Sequence, residues 1–158
     1  MAAAQSFPRR PPRTGRRQTE RIADVDDDAE NGHVAEAVAP YQQAVKLEPG
    51  SMLLRIELAQ VQLETDNPVL LAPARHNLEE VVRDEIQNPE AWRLLAIAYG
   101  KSDNMGMMAL ALAEQGASSG DHEMAAQQAQ RALKILPPGP TRQRAQDIAD
   151  EAERDKDK

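Results

Sequence analysis

Apolar residues recur three and four positions apart through most of this chain, in blocks closed by Pro, Gly, Asn or Asp. The first block predicts a helix over about 33–47, stopped by Glu48-Pro49-Gly50. A second, about 51–65, starts at Ser51 and is apolar on two faces, Leu54/Leu58/Val61 and Leu53/Ile56/Leu63. A helix wet on one side needs one stripe, so this one is expected to be sandwiched. A third runs over about 70–86. Pro73 is tolerated only in a first turn, which moves its start towards Ala72. The fourth, about 89–100, opens with Asn88-Pro89, cap then first-turn proline, and carries Trp92, Leu95, Ala96 and Tyr99 at i, i+3, i+4, i+7. The fifth, about 105–118, turns Met108, Ala109, Leu112, Ala113 and Gly116 inward, and the sixth, about 121–136, is capped by Asp121. The last, about 141–154, offers only Ala145, Ile148, Ala149 and Ala152 for burial and reads as a polar terminal cap. The pattern predicts an all-α chain of about seven helices.

Two of these blocks are one pattern written twice. Residues 32–49 align without a gap on 120–137, with Gly32/Gly120, Ala37/Ala125, Gln42/Gln130, Ala44/Ala132, Lys46/Lys134 and Pro49/Pro137 identical. With Gly32 taken as the loop between paired helices, Asp66 lies 34 residues on. Asp103 is 37 further, which implies a short insertion around Asn67-Pro68-Val69, and Gly120 follows after 17, half a period. A period near 34 is that of the tetratricopeptide (TPR) repeat. The run Pro89-Glu90-Ala91-Trp92-Arg93-Leu94-Leu95-Ala96-Ile97-Ala98-Tyr99 resembles the first helix of that repeat, with Ala96 where Gly is usual. Ala37, Tyr41, Ala44 and Pro49, and again Ala125, Ala129, Ala132 and Pro137, fill second-helix positions. Ile86, where the closing Pro is expected, and Met108 and Gln115, where small residues are expected, depart from it. The organisation that follows is a disordered Arg/Pro-rich then acidic segment over 1–31, a TPR-like antiparallel helical array over 32–137, and a polar capping helix and tail over 138–158.

Composition agrees with close-packed helices: the apolar fraction is mostly Ala and Leu, with one Trp, one Phe and two Tyr. There is no cysteine, hence no disulfide and no thiolate metal site. No apolar run approaches the ~18 residues of a membrane span. Residues 1–21 carry six Arg against one Glu, net +5, which leaves −12 on the rest of a chain whose total is −7. An acidic body argues against a nucleic-acid groove. The Arg-rich start has the composition of a transit peptide, but Pro8, Pro11, Pro12 and Gly15 break any amphipathic helix and no apolar segment follows as a secretory signal requires. It reads either as an unstructured tail or as the product of a misplaced start or frame error.

A further resemblance is carried by Asn88 to Gly100, by Met107-Met108-Ala109-Leu110-Ala111-Leu112-Ala113-Glu114, and by Gly120-Asp121 with Ala129 to Gly139. These stretches resemble the C-terminal TPR region of bacterial envelope zinc metallopeptidases, relatives of the outer-membrane assembly protease-chaperones. The resemblance spans about 33–150 and is most specific in 88–139. It implies a helical tail that binds substrate or assembly partners and packs against a protease domain, with zinc held in a catalytic domain ahead of this chain. Such relatives are exported, whereas nothing in this sequence reads as an export signal.

Candidate chemistry is sparse. A zincin places H-E-x-x-H on one helix face, so that two imidazoles share a metal and Glu acts as base. His122-Glu123 supplies the first two letters, but Ala126 occupies the second ligand position, and His33 and His76 are isolated. Asp24-Val25-Asp26-Asp27-Asp28 opens like a calcium loop, yet Ala29 and Ala35 replace its glycine and bidentate glutamate, so a solvated acidic linker is expected. Neither a phosphate cradle nor a nucleophile elbow is present. Met105, Met107 and Met108 read as core fillers. No catalytic residue, metal ligand or cofactor is assigned to this chain. The TPR register points instead to a groove lined by Leu53, Ile56, Gln60 and Glu64 on one helix and Glu90, Arg93, Ile97 and Lys101 on another. Ile97 stands where a carboxylate clamp needs Asn, so a mixed apolar and charged groove for peptide or protein segments is expected. The function expected is a non-catalytic interaction module. The alternatives are a split or truncated fragment of a TPR-containing zinc metallopeptidase, completed by a separate protease domain, and a cytoplasmic scaffold.

Overall fold

Short side-chain oxygens set where most helices begin. Ser51, Asn67, Asn88, Asn104 and Asp121 each accept a hydrogen bond from a backbone N–H two or three residues ahead, at 3.4, 3.0, 3.0, 3.2 and 2.9 Å. The structure is a computed structural model and describes residues 16–156. Among these the chain forms seven helices and no strand: α1 (Arg16–Leu47), α2 (Met52–Glu64), α3 (Pro68–Asp84), α4 (Pro89–Lys101), α5 (Met105–Ser119), α6 (His122–Ile135) and α7 (Pro140–Lys156). The chain is therefore all-α. In α7 the four residues expected to be covered, Ala145, Ile148, Ala149 and Ala152, are buried.

Two helices start earlier than their patterns indicated. α1 begins at Arg16 rather than near 33, and its backbone stays helical through Gly32, which the repeat register treated as a loop. A helical Gly costs only about 1 kcal/mol, and His33 supplies no short oxygen to cap a new helix there. Residues 16–31, expected as part of an unstructured segment, are thus helical, and the rest of that segment lies outside the described residues. α3 begins at Pro68, so Pro73 falls in its second turn. Capping by Asn67 and a first-turn proline fix that start. Pro73 leaves the Val69 carbonyl without its helical donor, and exposed Val69 lets water replace it.

The turns at the other three register positions share one conformation. Asp66 (φ 51°), Asp103 (φ 55°) and Gly120 (φ 77°) are all left-handed, and each is followed by the Asn or Asp that caps the next helix. This conformation costs least for Gly and next least for Asn and Asp.

Each helix packs on the next in sequence, and short connections make neighbours antiparallel. α2 also touches α4, and α5 touches α7, whereas α3 and α5, and α4 and α6, do not pack on each other. The alternation therefore shifts by one helix at α5, where the sequence register shifts by half a period. Two cores result. One joins α2, α3 and α4 through Leu63, Leu78, Val81, Leu94 and Leu95 and reaches Ala111 of α5. The other joins α5, α6 and α7 through Ala109, Ala113, Ala125, Ala129, Ala132 and Ile148. At Gly116 the α5 and α6 backbones approach so closely that a Cβ would stand 2.6 Å from the Ala125 nitrogen, so only glycine fits.

A polar chain crosses the first core. Gln62 is 1% exposed and accepts from Asn77 Nδ2 at 3.5 Å, and Asn77 Oδ1 accepts from Arg55 Nη1 at 3.2 Å. Arg55 also donates to the Pro49 carbonyl at 2.9 and 3.0 Å, pinning the α1–α2 turn.

Candidate functional site

The packing of α2 on α4 brings the two halves of the expected groove together. Gln60, Glu64, Arg93, Ile97 and Lys101 line a shallow depression of about 210 Å³, joined by Asp66. Leu53, 64% exposed, and Glu90 lie outside it, and Ile56 is half-buried against the first core. The polar groups here are occupied with one another. Gln60 donates to Glu64 at 2.9 Å, and Arg93 holds Glu90 through two hydrogen bonds of 2.8 and 2.6 Å. That pair lowers the Glu90 carboxyl from its ordinary range and raises the Arg93 guanidinium. Lys101 reaches across to donate to the Leu63 carbonyl at 3.0 Å and to pair with Asp66, closing the C-terminus of α2. In this depression Ile97, 37% exposed, is the apolar group left open to solvent.

A larger apolar cleft opens elsewhere. The backbones of α3 and α5 stay apart, and a groove runs over α4 between them, with Leu95 and Tyr99 at its base only 2% and 7% exposed and Trp92 more open. Trp92, Leu95 and Tyr99, one stripe of α4, form its floor; Val82 of α3 and Ile86 of the α3–α4 turn form one wall; Met107, Leu110 and Ala111 of α5, with the first turn of α7, form the other. The cleft holds about 430 Å³. Ile86, 50% exposed, stands at its edge.

The charged groups in the lining, and the Trp92 and Tyr99 donors, already have partners. The Trp92 Nε1–H donates to the Ile86 carbonyl at 2.8 Å, which ties the α3–α4 turn to the floor and leaves the indole to act as apolar surface. The Tyr99 hydroxyl donates to Glu79 Oε1 at 2.9 Å, and Arg75 lies 3.4 Å from the same carboxylate. Burial, then the hydrogen bond to Glu79 and its charge, push the Tyr99 phenol well above its ordinary value. Arg83 pairs with Glu80 at 2.7 Å. Glu114, 4% exposed, receives both Nε and Nη2 of Arg144 at 2.5 and 2.7 Å, a two-pronged contact that locks α7 onto α5 and raises the guanidinium pKa further. What remains on offer is apolar and aromatic surface.

The floor of this cleft was visible in the sequence as the Trp92 stripe, but the cleft itself was not expected. Its signal was the half-period step from Asp103 to Gly120, which marks where α5 changes packing partners.

The histidines stay apart. His33, His76 and His122 lie on α1, α3 and α6, no two of which pack together. His33 faces Glu36 at 3.8 Å, and His122 faces Asp155 at 3.7 Å. Among the described residues no three His, Asp or Glu side chains are grouped to hold a metal ion. The residues present do not fit a zinc centre, since the position one helical turn beyond His122 is Ala126. Asp24 to Asp28 lie within the α1 backbone helix, not in a loop that could wrap calcium. Among the described residues no helix is long and apolar enough to cross a membrane.

No family model matches this chain, no curated protein matches it, and no solved structure matches it.

Proposed function

We infer that this chain is a helical-repeat interaction module of TPR type whose cleft takes the apolar side of a peptide or protein segment. The observation that carries this reading is the trough floored by Trp92, Leu95 and Tyr99. It is apolar, it is open along one side, and its charged neighbours are already satisfied. A site of this kind gains from burying aromatic and aliphatic side chains rather than from pairing charge. The three left-handed turns at register positions support the repeat reading. The depression between α2 and α4, in the groove position of the register, serves as a secondary surface around Ile97. The likeness to the tails of envelope zinc metallopeptidases makes a separate protease domain one candidate partner, bringing a zinc site that this chain's residues do not supply.

Trp92 is the single tryptophan, so its fluorescence reports on the cleft. Apolar peptides are expected to shift its emission on titration, and Ile86→Glu, a change at the exposed edge, to weaken binding by about tenfold or more. Equal affinity in the variant would sink the reading.

A further inference from the structure

The cleft runs out, at its Ile86 end, into an acidic turn. Ile86 also borders a polar hollow formed with Asp84, Glu85, Gln87, Asn88 and Pro89. Asp84 and Glu85 are exposed; Glu85 accepts from Asn88 at 2.9 Å, and Asp84 has no side-chain partner among the described residues. The complement of an aromatic trough ending in carboxylates is a segment with apolar residues at one end and cations at the other.

This chain contains such a segment. Phe7-Pro8-Arg9-Arg10-Pro11-Pro12-Arg13 begins apolar, spaces Pro8 and Pro11 three apart and ends in Arg. Segments with that proline spacing bind aromatic-lined grooves as a left-handed helix of about 3.1 Å per residue, so seven residues cover about 20 Å. Trp92 to Tyr99 spans about 10 Å of α4, and the acidic turn extends the track. Net charge points the same way: +5 over residues 1–21 against −12 on the remainder.

A chain cannot serve its own cleft. α1 is 32 residues long, about 48 Å, and runs in the same direction as α3, both being antiparallel to α2. Asp84, at the C-terminal end of α3, is therefore level with the far end of α1 from Arg16. Arg13 is three residues from Arg16, a reach of about 10 Å at most.

We propose that the cleft of one molecule binds residues 7–13 of a second copy, with Phe7 and Pro8 against Trp92 and Ile86 and the arginines towards Asp84 and Glu85. This rests on the cleft being a peptide site. The test is sedimentation velocity on the full chain from about 1 to 200 μM, with Trp92 emission read in parallel. Association is expected to rise with concentration, to track the emission shift, and to weaken as salt increases. An R9A/R10A/R13A triple variant, altered only at residues before α1's described span, and a D84N/E85Q variant should each weaken it at least about tenfold. A chain that stays monomeric throughout, or association unchanged in either variant, would overturn the proposal. A synthetic peptide of residues 5–14 separates the two ideas. If it leaves Trp92 emission unchanged while another apolar peptide shifts it, self-docking is wrong and the cleft remains a peptide site. If no peptide shifts it, both fall.

Discussion

Tyr99 shows how one residue of the cleft couples binding surface to stability. Its ring is floor, and its hydroxyl donates to Glu79 across the α3–α4 interface. Burial and the neighbouring carboxylate favour the protonated phenol, so the folded chain holds this proton above the ordinary value of 10.0, where the unfolded chain releases it. The stabilisation is present below pH 10 and is lost as pH climbs from there towards the folded value. Tyr99→Phe is expected to cost about 1 kcal/mol near pH 8, a modest figure because Glu79 stays solvated on one side. The gap between the two urea midpoints should close above pH 10, and a gap that held constant to pH 11.5 would contradict the contact. Neither Tyr99's partner nor that of Glu114 was legible in the sequence. Both are cross-helix pairs, and a helical stripe reveals which side is covered without revealing what covers it.

At the scale of elements, the caps and turns were the legible part. Asp66-Asn67, Asp103-Asn104 and Gly120-Asp121 pair a residue that tolerates positive φ with one that caps the following helix, and all three form the expected turn. Gly32-His33 has the glycine without the cap, and there the helix runs on. The difference lies in the second residue of the pair, because a glycine alone weakens a helix without giving the next one a starting point. Asp103→Gly tests the strain in these turns. Asp103 is exposed and its side chain makes no hydrogen bond among the described residues, so relieving its left-handed backbone should raise stability by about 0.5–1 kcal/mol. Asp66→Gly should gain less, since it gives up Lys101. Equal or lower stability for Asp103→Gly in thermal unfolding would count against the turn being strained.

In the whole molecule, the two cores meet at α5, which contributes Ala111 to one and Ala109 and Ala113 to the other. Linear helical arrays open in units set by nearest neighbours. Native-state hydrogen exchange should therefore separate α2–α4 from α5–α7 as two groups of opening energies, with α1, which among the described residues packs on α2 alone, the least protected. A single opening energy across all helices would rule this out. The division was not legible because each helix pattern treats its neighbours as equivalent. The half-period step was on view in the sequence, but only the packing shows that it moves the second contact from α2·α4 to α5·α7. That change of partner leaves a trough whose floor belongs to the first core and whose α5 wall carries Leu110 of the second beside Ala111 of the first. An occupant gripping both sides would act as a staple between them. Calorimetry would then record the bound protein melting as one cooperative body, with van't Hoff and calorimetric enthalpies drawn together, where the empty protein comes apart in two.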